Sequence, residues 1–73
     1  MAKRDAEKAA KFCEDSKSES SLACIARGVL EEFDTRHGSS EYRALRDAFR
    51  KSHGATAWGI VNDIVVEFRH FAR

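Results

Sequence analysis

Residues 57–72, AWGIVNDIVVEFRHFA, decide how this chain folds. They hold the only Trp, two of the five Phe and most of the β-branched apolar residues. A strand reading rests on Ile64-Val65-Val66 and on the alternation of Ile64, Val66 and Phe68 with polar neighbours. It fails because no second segment offers itself as a pairing partner, and a lone strand leaves its backbone groups unpaired. As a helix, Ala57, Val61, Ile64, Phe68 and Ala72 form a continuous face, flanked by Trp58, Ile60, Val65 and Phe71. That arc spans roughly 160°, wider than the ~100° of a one-sided surface helix. A helix so broadly apolar is expected to touch two or three others, with Thr56 as its N-cap.

Three further helices are predicted upstream. Ser39 or Ser40 caps one over about 40–53, with Tyr42, Leu45, Ala48 and Phe49 as its apolar face. His53-Gly54 is its stop signal, since Gly suits the left-handed position past a helix end. Before it, Leu22, Ile25, Ala26, Val29, Leu30 and Phe33 repeat at 3.6 residues, predicting a helix over about 18–37 that His37-Gly38 ends. Ser16 with Glu19 has capping-box spacing for its start, with Ser20 and Ser21 as alternatives. Residues 2–15 have the best local helix propensity. Their stripe of Ala2, Ala6, Ala9, Ala10 and Cys13 is small, with Phe12 beside it as the one large anchor. Such a helix docks closely but gains little, because each buried CH₂ contributes about 0.8 kcal/mol. The expected fold is therefore all-α, a compact bundle of four short helices (about 2–15, 18–37, 40–53 and 57–72) with the C-terminal helix central, in one domain over 1–73.

The totals bound the function classes. A chain of 73 residues buries only roughly 60% of its unfolded surface, so its core alone is marginal. Small folds add disulfides, metals or a second subunit. Two Cys and three His without Cys-x-x-Cys or His-x-x-x-His spacing give no zinc signature, which leaves a homodimer as the expected supplement. The 34% charged and 42% apolar content is that of a folded globular domain, and a net charge of +1 implies no nucleic-acid or membrane partner in bulk. No apolar run reads as a signal peptide or membrane span. The expected compartment is the cytoplasm, with both thiols reduced.

Five features carry candidate chemistry. Arg43, Arg46 and Arg50, spaced i, i+3, i+7, share one helical face. With Lys51 against Glu41 and Asp47, the 39–54 window carries a net charge of +2. Arginine forks match carboxylates and phosphates. The plain alternative is a solvated face. A helix-turn-helix reading places Arg43 and Arg46 on a recognition helix after Gly38. The alternative pair, with the last helix reading DNA, offers Ala57, Trp58, Gly59, Asn62 and Asp63, a poor match to base edges. Gly59, Val66 and His70 lie on the outer side of the last helix and form an expected subunit or partner contact. Cys13 and Cys24 point in directions that do not suit a disulfide, with Cys13 buried. His37, His53 and His70 sit where helix-end capping explains them.

No nucleophile, base and orienting acid are spaced as a set, so no catalytic residues, metal or cofactor are expected. The expected function is that of a small non-enzymatic regulator or inhibitor. It binds another protein through Arg43, Arg46 and Arg50, and a homodimer is the expected form. The alternative is a nucleic-acid-binding transcriptional regulator using the same basic face.

Overall fold

The structure is a computed structural model that describes residues 2–71. Its elements are α1 (Ala2–Ser16), α2 (Leu22–Glu32), α3 (Ser40–His53) and α4 (Ala55–Phe71). The fold is all-α, four helices sharing one core. Helix α3 packs against α1 and α4, α4 packs against α2, and Phe12 of α1 meets Gly28 of α2. Among the described residues, no helix is long and apolar enough to cross a membrane.

Helix α1 lies along α3, and the two run parallel. Ser40 Oγ donates to Asp5 Oδ2 at 2.8 Å near both starts, and His53 Nε2 lies 3.3 Å from Cys13 O near both ends. The buried stripe of α1 is narrower than the alanine pattern implies. Ala9, Cys13 and Ser16 are buried, whereas Ala6 and Ala10 are exposed. Phe12 is the large anchor, set edge-on to Phe33 with ring centroids 5.2 Å apart. It also explains Gly28, where a Cβ would lie 3.1 Å from the Phe12 ring. The side chain of Ala2, assigned to this stripe above, lies outside the described residues.

Helix α2 is shorter than the expected 18–37. Ser21 is its N-cap, its Oγ accepting the Ala23 N–H at 3.2 Å, so the break after α1 runs to residue 21. At the other end Phe33 is already extended, with φ −121°. His37 and Gly38 therefore do not stop the helix. They lie in a turn closed by Ser39 N–H to Arg36 O at 3.1 Å, with Gly38 at φ +86°. A positive φ at the third turn position is what type II turns require, and Gly takes it without strain. Helix α3 matches its expected span. Ser39 Oγ accepts the Tyr42 N–H at 3.2 Å, and Gly54 follows the last turn at φ +96°.

Helix α4 begins at Ala55 rather than 57, because the Gly54 carbonyl already accepts the Trp58 N–H at 3.2 Å. Thr56 is thus an exposed residue inside the first turn, not the cap. Trp58, Val61 and Val65 face the core, between α2 and α3. The apolar arc is rotated relative to expectation. Ile64 is half-buried, and Phe68, read above as a core residue, is 51% exposed along with Ile60 at 46% and Phe71 at 77%. The neighbours occupy only one side of the arc. Ala72, assigned to this face and to the helix end, lies outside the described residues.

Candidate functional site

The loop 33–39 between α2 and α3 positions the site. Its backbone groups find partners outside regular structure. Ser39 Oγ donates to Asp34 O at 2.7 Å, and Asp34 N–H donates to Glu41 Oε2 at 3.3 Å. Arg36 grips Asp34 through its own N–H at 3.1 Å and through Nε at 2.9 Å. Those hydrogen bonds hold the Asp34 carboxyl down at about 2. From α4, Arg69 Nη1 donates to Thr35 O. From α1, Lys8 Nζ donates to Glu41 Oε1 at 2.6 Å and lies over the Phe33 ring. The loop is thereby tied to three helices, and His37 is held at the mouth of a cleft between α3 and α4.

That cleft has a volume of about 460 Å³. Arg43 and Arg46 reach it from α3, and Arg69 and Val66 from α4. Tyr42, Trp58 and Asn62 line it more deeply. Tyr42 Oη donates to Asn62 Oδ1, tying α3 to α4. Burial raises the Tyr42 hydroxyl above its ordinary value, opposed by the positive charge of Arg69. Among the described residues no carboxylate lines the cleft. Asp47 sits outside it and meets Arg46 Nε at 3.2 Å in an exposed pair, which contributes little.

A second depression, of about 750 Å³, separates α1 from α3. Ala6, Ala10, Ala44 and Ala48 form its walls, and Arg43 and Arg46 border it as well. The two arginines therefore stand on a ridge between this alanine-walled depression and the α3–α4 cleft.

The residues singled out from sequence separate as follows. Arg43, Arg46 and Val66 come together in the α3–α4 cleft. Arg50 is exposed one turn further along α3 and lines neither depression. Gly59 is exposed, with open space where a Cβ would be, and His70 is exposed beside Phe71. Neither lines the cleft. Arg69 and Asn62 were not assigned to the site from the sequence, and His37 was read there as a helix-end cap. A signal for two of them was present, since Trp58, Asn62, Val66 and Arg69 are spaced 4, 4 and 3 along one side of α4.

The thiols are apart in character. Cys13 is buried and free, and burial pushes it up to about 11, while Cys24 is free and exposed. His53 stacks on Phe49 at 4.3 Å, which occupies one face of its ring. Among the described residues no group of three or more His, Cys, Asp or Glu is placed to hold a metal ion. Comparison with protein-family models, with curated proteins and with solved structures returned no match.

Proposed function

We propose that this chain is a small non-enzymatic regulator or inhibitor that covers a working surface on another protein. The observation that carries this reading is the ridge on α3: Arg43 and Arg46 border both the α1–α3 depression and the α3–α4 cleft. Charged forks beside an apolar hollow are a common make-up of a protein-binding patch, where Arg is enriched. Arg50 extends the ridge by a turn. The nucleic-acid reading is less well supported. Helix α2 packs on α4 rather than bracing α3, and the loop between α2 and α3 is longer than the tight turn of a helix-turn-helix unit.

We further propose a homodimer. Ile60, Phe68 and Phe71 leave a run of large apolar side chains uncovered on α4, and a 73-residue core gains from having it covered. This differs from the face marked by Gly59, Val66 and His70, of which Val66 belongs to the cleft. The proposed compartment is the cytoplasm, where Cys24 stays reduced.

Affinity capture from the source cells tests the reading. A protein retained by the wild type and lost with R43A/R46A/R50A supports it. A gel shift with random duplex DNA at low salt that disappears steeply with added salt supports the nucleic-acid alternative instead.

A further inference from the structure

The α3–α4 cleft presents hydrogen-bond donors. Arg43, Arg46 and Arg69 have no acceptor atoms in their guanidinium groups. Asn62, which lines the cleft, has its Oδ1 engaged by Tyr42 Oη, and its NH₂ group can only donate. Arg69 spends one N–H on Thr35 O, a bond that fixes where the remaining donors stand. A ligand here must be rich in acceptors and negatively charged. Two ligand chemistries meet that condition, a phosphodiester backbone and a carboxylate-bearing peptide.

The remaining walls decide between them. Single-stranded nucleic acids bind by stacking bases on free aromatic faces. Trp58 has no such face: it is 8% exposed, with Tyr42 and Phe49 packed on it at 5.5 and 5.6 Å. Val66 is half-exposed at the cleft wall and offers apolar cover to an aliphatic side chain, which a phosphodiester backbone lacks. The net charge of +1 gives no broad positive field to collect a polyanion.

Building on the protein-binding reading above, we propose that this cleft recognises an extended acidic segment of the partner. In it Asp or Glu carboxylates pair with Arg43, Arg46 and Arg69, and a neighbouring aliphatic side chain covers Val66. Arg69, which lies on α4 and outside the α3 stripe, is a binding residue for that segment.

Fluorescence anisotropy with a labelled, end-capped peptide of alternating Glu and Leu tests this on the full chain. The expected result is saturable binding, with no binding of the matching Gln–Leu peptide. R69Q weakens it by about tenfold or more, as loss of a charge-assisted bond does, and R27Q on α2 leaves it unchanged. V66D, which sets a carboxylate on the cleft wall without touching the core, also abolishes binding and covers the case in which R69Q folds poorly. Equal binding of the Gln–Leu peptide, displacement by a random duplex oligonucleotide in preference to the acidic peptide, or indifference to both variants overturns the proposal. If the peptide fails while affinity capture still depends on Arg43, Arg46 and Arg50, the cleft assignment falls and the protein-binding reading stands. If both fail, both fall.

Discussion

Arg69 Nη1 donates a hydrogen bond to Thr35 O, joining the last turns of α4 to the loop between α2 and α3 across 34 positions of sequence. This bond sets one wall of the cleft against its mouth. R69A is expected to cost about 1–2 kcal/mol, because it leaves a half-buried carbonyl without its charged donor. For a domain of this size that lowers Tm by roughly 4–16 °C. Amide exchange in residues 33–39 should quicken more than in α1. A melt and an exchange profile indistinguishable from wild type would show that the loop is held without Arg69.

Adjacent valines on α4 should behave oppositely. Val65 is fully buried and Val66 is 50% exposed. V65D buries an unpaired carboxylate and is expected to unfold the domain, while V66D is expected to shift stability by about 0.5 kcal/mol or less. Circular dichroism melts of the two variants read the difference. Equal loss in both would mean that α4 is rotated from the arrangement described.

The two thiols should react on different timescales. A thiol reagent at neutral pH is expected to label Cys24 at once and Cys13 only on unfolding, since one is exposed and the other buried. The folded Cys13 thiol sits at about 11, above the ordinary 9.0. Its neutral form is therefore the one the fold favours. The associated stability is complete below pH 9 and is lost as pH rises toward 11. The drop is expected to reach about 2–3 kcal/mol and to shrink in C13A, the comparison that separates it from Tyr42, which also titrates at alkaline pH.

The uncovered apolar run on α4 should govern assembly. Light scattering at tens of micromolar is expected to give twice the 8.2 kDa chain mass, and F68D to return it to one chain without loss of helix content. A wild-type mass of one chain refutes the dimer.

The helices were legible in the sequence because their apolar residues keep helical spacing, and two of them, α2 and α3, start on serine caps at Ser21 and Ser39. The end of α2 was not. Phe33 continues the apolar period of Val29 yet is extended, and the side chains of Ser39 and Asp34 give the loop backbone other partners than a helix. For α4 the breadth of the apolar arc was legible, but not which part of it meets α2 and α3. That is a matter of packing between helices, and it left Phe68 outside. Arg43 and Arg46 could be found because they share one helix. The cleft itself could not, because His37, Arg46 and Arg69 come together only when a loop and two helices pack.

The most direct test of the central claim is a ¹⁵N chemical-shift map of the chain titrated with the Glu–Leu peptide. Shifts are expected to concentrate at His37–Arg46, Trp58 and Asn62–Arg69, including the Trp58 indole N–H, with α1 and the start of α2 unmoved. Shifts centred on α1 or spread evenly over the surface would contradict that claim.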